Sequence, residues 1–211
     1  MSLIAKGGNE EGNKDFELTP TGNHVAVCYM VADLGVHESN WKGKSKRMHK
    51  IKIGWELPNE LMSDGRPFGI TKNYTLSLFS GSRLYQDLES WRGRAFTEEE
   101  LKGFDVFAVL GVGCMLNVIH EKSSDGQKTY ANVATVARLP KGMTVELPVN
   151  PVIKFSLSGG TNITPFEKLP EWLQKKINRD TVTSTEPLAS GVDENTGAVI
   201  GDDFYDDDIP F

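Results

Sequence analysis

The sequence predicts a mainly β fold: an OB-fold-like, five-stranded barrel with a helical insert between strands 3 and 4, a C-terminal helix and a disordered acidic tail. Three observations predict it. Apolar residues alternate over 24–32, 51–57 and the Phe68–Phe79 region, the period of strands. Between residues 84 and 103 the spacing becomes helical. Two more alternating runs then flank Ser123-Ser-Asp-Gly-Gln127, whose Asp-Gly pair is a strong hairpin signal.

Taken in order, residues 1–22 are rich in Gly, Asn and Glu and read as a flexible or weakly docked segment ahead of a domain over 23–179. In the first strand Val25, Val27, Tyr29 and Val31 alternate against Ala26, Cys28, Met30 and Ala32. Both faces are apolar, so the strand is central. Trp41–Lys50 is polar and basic and reads as a long turn. The second strand follows, with Ile51, Ile53, Trp55 and Leu57 on one side and Lys50, Lys52, Gly54 and Glu56 on the other. The third puts Tyr74, Leu76 and Leu78 on one face and leaves Phe79 open. Leu84, Leu88 and Trp91 recur at helical spacing, and Thr97 with Glu100 forms a capping box before a short helix stopped by Gly103.

Strands near 113–121 and 129–139 come next. Val145–Leu157 can add an edge strand, with Pro148 and Pro151 arguing against a central one. Residues 164–178 read as a helix that Pro170 starts or kinks, whose stripe of Leu169, Leu173 and Ile177 packs on the barrel. Residues 180–201 lack periodicity and form a linker to a tip at 202–211. Three strands, a helical insert and a hairpin is the element order of an OB-fold, a Greek-key barrel that binds oligonucleotides on one face; periodicity alone also admits another small barrel.

Net charge is −6, but residues 181–211 hold eight of the 29 acids and no lysine or arginine. The remainder is near +2, with 21 acids against 23 bases, so the acidity lives in the tail. Cys28 and Cys114 sit in apolar runs and read as buried thiols, which fits a reducing compartment. No apolar run approaches membrane-spanning length, and residues 1–15 lack the apolar region of a signal peptide. A soluble, cytoplasmic protein is expected.

The tip is Asp202-Asp203-Phe204-Tyr205-Asp206-Asp207-Asp208-Ile209-Pro210-Phe211. Its aspartates repel one another, Pro210 restricts the backbone, and Phe211 ends the chain with a ring beside a free carboxylate. A partner needs an apolar pocket for the ring, a basic residue for the terminal carboxylate and a positive ridge for the aspartates. An acidic solubilising tail is the plainer alternative, but it has no need to finish in Ile-Pro-Phe. Asp206, Asp207, Asp208, Ile209, Pro210 and Phe211 together resemble the C-terminal tip of bacterial single-stranded DNA-binding proteins and their phage-encoded counterparts. Tyr205 matches the aromatic of that tip, whereas Phe204 stands where the family has an acid. The resemblance implies recruitment of replication or recombination proteins, raises the expectation of an OB-fold, and makes the compartment a host cytoplasm if the chain is phage-encoded.

Single strands are held by a cationic groove and by aromatic rings on which bases stack. Lys42, Lys44, Lys46, Arg47, Lys50 and Lys52 place six cations in eleven residues, with Trp41 at their edge. Such a run alone is often a solvated loop; beside the tail, DNA is the expected partner. Trp55 and Trp91 share faces with aliphatic residues and belong to the core. On the late strand Ala131, Val133, Ala137 and Leu139 look inward, which leaves Tyr130, Asn132 and Arg138 outward; Tyr130 and Arg138 are further candidates. A tethered polyanion is also expected to fold back onto Lys42–Lys52 when DNA is absent.

Catalytic signatures are missing. His24, His37, His49 and His120 have no metal-ligand spacing, Gly111-Val-Gly113 lacks the third glycine of a dinucleotide loop, and no Walker sequence occurs. No enzyme, cofactor or metal is expected. The reading is a non-sequence-specific single-stranded DNA-binding protein that coats exposed strands and recruits partners through its tip. An annealing or recombination mediator of the same fold and an adaptor without DNA binding are the alternatives. The sequence leaves open whether the chain forms a homo-oligomer.

Overall fold

A strand 20 residues long, β1 (Gly22–Trp41), is the axis of the computed structural model, which describes residues 17–41 and 44–180. The expected tail lies outside them. On one side β1 pairs with β2 (Lys44–Leu61), which pairs with β3 (Pro67–Thr75). On the other side it pairs with β4 (Gly113–Lys122), which pairs with β5 (Thr129–Ala137). These pairings are antiparallel. A sixth strand, β6 (Ile153–Phe155), adds parallel to Met30–Ala32 of β1. The fold is thus mainly β with a six-stranded sheet. Its path runs β3-β2-β1-β4-β5. The path ends, β3 and β5, approach one another, but among the described residues no ladder joins them.

The insert between β3 and β4 holds α1 (Arg83–Arg92), α2 (Glu98–Lys102) and a 3-10 turn at Val106–Val109. Ser82 caps α1 by accepting from Tyr85 N–H, and the capping box of Thr97 and Glu100 forms as expected. Leu84, Leu88 and Trp91 bury the α1 stripe against the main core, whose centre is the fully buried Trp55. The two indole rings lie 5.8 Å apart, and Trp91 Nε1 donates to Gly113 O at 2.9 Å.

A second core covers the other face of the sheet. Leu169, Leu173 and Ile177 bury against Met30, Ala32 and Leu34 of β1 and Ile153 and Phe155 of β6. The helix expected over 164–178 is shorter and later: a 3-10 turn at Phe166–Lys168 is followed by Leu169 and Pro170, and α3 (Glu171–Asp180) carries Leu173 and Ile177. This layer explains β2. Ile51, Ile53, Trp55 and Leu57 face the main core, while Lys52 and Glu56 are buried beneath the C-terminal layer. Gly54 leaves room for Met30: a Cβ there would meet Met30 Cε at 2.7 Å.

Three further expectations change. The basic stretch is not a long turn; β1 and β2 stay paired out to Trp41 opposite Lys44. The third strand stops at Thr75, because Ser77 N–H turns back to Thr75 O, and Leu76 is exposed. On β5 a register shift opposite Asn117 and Val118 inverts the alternation, so Val136 takes the buried position expected for Ala137. At the N-terminus residues 17–21 are held: Glu17 accepts from Ser63, and Thr19 O and Pro20 O accept from His120 and His24.

Candidate nucleic-acid interface

The distal half of the β1–β2 hairpin carries the cationic run. β3 ends at Thr75 opposite Lys50, so beyond that point the hairpin is a two-stranded ribbon, unsupported by β3. The register sets Glu38 opposite Arg47, Ser39 opposite Lys46 and Trp41 opposite Lys44. Pleating sends positions 46, 48 and 50 to one face and 47 and 49 to the other. Lys46 and Arg47 are exposed and reach opposite sides of the ribbon. Met48, His49 and Lys50 are half-buried, and Lys50 Nζ donates to Thr75 Oγ1 at 2.8 Å.

Lys52 does not belong to this surface. It is 2% exposed, its ammonium lies 5.6 Å from the Trp172 ring centre, and it donates to Thr71 Oγ1 at 3.3 Å. The cause is the C-terminal layer, which covers the face that position 52 shares with Glu56. Lys42 lies outside the described residues, and for Trp41 and Lys44 the strand register is what is described.

At the ribbon's root β1 shifts register between Asp33 and Gly35, and Gly35 takes a left-handed φ of 82°. Asp33 fastens this bend. Its Oδ1 accepts from Gly35 N–H at 2.8 Å and bonds His49 Nε2 at 2.6 Å, while Oδ2 accepts from Leu157 N–H at 3.3 Å. Burial pushes the Asp33 carboxyl up, but the bonds from His49, Gly35 and Leu157 together with the imidazolium charge outweigh it, and the carboxyl stays below its ordinary value. The bond to Asp33 raises His49, with burial opposing. The ribbon therefore starts from an ion pair that links β1, β2 and the segment after β6.

The remaining candidates lie elsewhere. Tyr130, half-buried, pairs with Glu121 beside the Ser123–Lys128 turn, whose Gly126 has φ 72°. That turn stands at the opposite end of β1 from the ribbon, since Gly22 pairs with Val118. Arg138 is exposed at the end of β5. It lies over Gly93, where a Cβ would come 2.8 Å from Arg138 Cδ. The structure thus gathers Lys46, Arg47 and Lys50 on one ribbon and brings neither Tyr130 nor Arg138 to it. Residues 206–211 are outside the described residues.

Sequence reasoning missed a second cationic feature, at the C-terminal end of α1. Gly93 caps the helix with φ 67°, its N–H bonded to Glu89 O and Ser90 O, and the reversal leaves Arg92 and Arg94 on either side of it. Arg92 stacks over Phe96 and Phe104, 4.2 and 5.2 Å from their ring centres. Both arginines bond Glu100 and hold its carboxyl well below the usual range, Arg94 most strongly. Arg138 adds a third guanidinium over Gly93. Arg92, Arg94 and Glu100 border a cleft of about 250 Å³ walled by Trp91, Phe104, Ala108, Val109 and Val112. Arg92 Nη1 is buried there with no hydrogen-bond partner among the described residues. Arg92-Gly93-Arg94 is visible in sequence, but neither Arg138 nor the apolar walls are adjacent to it along the chain.

Cys28 and Cys114 are free and buried, and burial pushes the Cys28 thiol up to about 12. Such thiols are packing groups, not nucleophiles. Among the described residues no helix is long and apolar enough to cross a membrane. Comparison with protein-family models and with curated proteins finds no match.

Proposed function

We propose that this chain is a non-sequence-specific single-stranded DNA-binding protein that coats exposed strands during replication or recombination and recruits partners through Asp206–Phe211. The observation that carries the reading is the β1–β2 ribbon, which extends past the end of β3 with Lys46 and Arg47 exposed. A two-sided cationic ribbon can follow a phosphate backbone, and its affinity depends on salt rather than on base sequence. The strand path β3-β2-β1-β4-β5, with α1 between β3 and β4 and packed near both β3 and β5, supports an OB-type barrel beneath the ribbon. The acidic tip, set apart from the basic domain, supports recruitment.

An adaptor that binds no DNA is the second reading. The burial of Lys52 and the engagement of Lys50 with Thr75 favour it, because they thin the cationic run. Reversing both exposed charges, Lys46→Glu with Arg47→Glu, separates the two. A DNA-coating protein loses roughly an order of magnitude in affinity for a labelled single strand at moderate salt, and its salt slope becomes shallower by about 1.4, the loss of two phosphate contacts. No binding by either form selects the adaptor; unchanged binding takes the DNA site off the ribbon. Faster pairing of complementary strands coated with the unaltered chain would identify an annealing mediator.

A further inference from the structure

We infer that Phe79, on the turn that follows β3, is the residue on which an unpaired base of the bound single strand stacks, with Leu76 extending the platform and Arg47 holding a neighbouring phosphate. This rests on the ribbon reading and supplies what the ribbon lacks. Exposed cations attract any polyanion, and duplex DNA carries the denser charge, so Lys46 and Arg47 alone give no preference for single strands. Preference needs a contact with base faces, which a duplex hides in its own stack.

The register brings the turn to the ribbon. Ile51 opposite Tyr74 faces the main core, and Lys50 opposite Thr75 faces the other way. One step further Leu76 N–H donates to His49 O at 2.7 Å, which sets Leu76 beside His49 on the side of the ribbon that Arg47 shares. Arg47 is two residues along from His49, about 7 Å. The chain then turns sharply. Ser77 Oγ accepts from Phe79 N–H at 3.2 Å, Phe79 O accepts from Ser82 N–H at 2.8 Å, and Ser82 Oγ donates to Ser77 O at 2.8 Å. These bonds fix the turn, and Phe79 Cα lies within about 11 Å of Leu76 Cα.

Packing does not account for Phe79. Leu78 turns inward against the main core, whereas Phe79 is 54% exposed, and among the described side chains it is the one exposed aromatic. A lone exposed apolar residue is ordinary. This one shares its turn with Leu76, also exposed, and has two exposed arginines nearby, Arg47 on the ribbon and Arg83 at the start of α1. The first acid of α1, Asp87, is buried and bonded by Lys72 at 2.7 Å and Tyr74 at 2.8 Å, which leaves Glu38, opposite Arg47, as the ribbon's own acid. A ring held on a fixed turn beside cations suits a base together with its phosphates. Any base offers a face to such a ring, so the contact adds affinity for unpaired strands without reading their sequence.

Fluorescence anisotropy tests this with a labelled oligothymidylate, an abasic strand of the same length and a duplex, on the full chain and on Phe79→Ala and Phe79→Trp, each checked for folding by thermal melting. Phe79→Ala is expected to bind the oligothymidylate about 5- to 150-fold more weakly, the loss of one stacked base, with its salt slope unchanged. Its affinities for the abasic strand and the duplex should match those of the unaltered chain, and Phe79→Trp should bind the oligothymidylate at least as tightly. Photo-crosslinking of a strand carrying iododeoxyuridine to the unaltered chain locates the contact without any substitution, and the crosslinked peptide should contain Phe79. Three results overturn the inference and leave the ribbon reading standing: full oligothymidylate affinity in Phe79→Ala, equal weakening on all three ligands, or crosslinks confined to other residues. If the unaltered chain binds none of the three ligands, the ribbon reading and the inference fall together.

Discussion

His49 links the fold to the charged ribbon at the scale of a single residue. Its ring nitrogen lies 2.6 Å from Asp33 Oδ1 and the pairing raises its affinity for a proton above the ordinary value of 6.5. The native state therefore keeps a proton that the unfolded chain releases first. The stabilisation from His49 is full below pH 6.5 and is lost as pH rises through its raised value. Asp33 behaves oppositely: its contribution is full above the ordinary 3.8 and is lost as pH falls through its lowered value. The ribbon's root is thus firmest between the ordinary values of the two groups, 3.8 and 6.5. Melting temperature should fall between pH 6 and pH 9 more in the unaltered chain than in His49→Gln, and an NMR titration should place the His49 midpoint above 6.5. Equal pH profiles for the two chains would remove the ion pair from this account. None of this was legible beforehand: Asp33 and His49 are 16 positions apart in the sequence, and the bulge at Gly35 that lets them meet leaves no pattern in hydrophobicity.

Among the elements, β2 shows how much a period of two reveals. Alternation identified Ile51, Ile53, Trp55 and Leu57 as one face, and that face is the core. It could not reveal that the other face is covered too, because Lys52 and Glu56 are residue types normally left in water. Glu56 is fully buried, accepts from Val149 N–H at 2.9 Å and Asn150 N–H at 2.8 Å, and also bonds the Asn150 amide. A carboxylate at that position fastens the extended segment before β6 to the sheet. Removing it in Glu56→Ala strands those donors and should cost about 3 kcal/mol or more, read from urea unfolding; Glu56→Gln keeps a carbonyl oxygen and should cost less. If Glu56→Ala melts like the unaltered chain, the segment is held by other contacts. The helices were the most legible elements. The capping box of Thr97 and Glu100 and the two apolar stripes are local, so the helices were readable from a few neighbouring residues, whereas the bulge in β5 depends on its pairing with β4.

The whole molecule separates its charges. A basic ribbon projects from one end of β1, Arg92 and Arg94 line the cleft beside α1 with Arg138 over Gly93, and residues 181–211 hold eight acids and no lysine or arginine. The first was readable as a cluster of lysines, though its shape was not: the absence of apolar alternation over 41–50 suggested a turn, while cross-strand pairing alone keeps it in the sheet. The second required the fold, since β5 brings Arg138 to a helix more than 40 positions earlier. Together these features make a domain suited to polyanions joined to a polyanion of its own. The central claim is that the ribbon takes single strands. Its most direct test is a fluorescence titration of the full chain with labelled single-stranded and duplex oligonucleotides of equal length and unrelated sequence, at several salt concentrations. A clear preference for single strands, indifferent to sequence and weakening steeply with salt, is the predicted result. Equal affinity for duplex, or no binding at low salt, would contradict it.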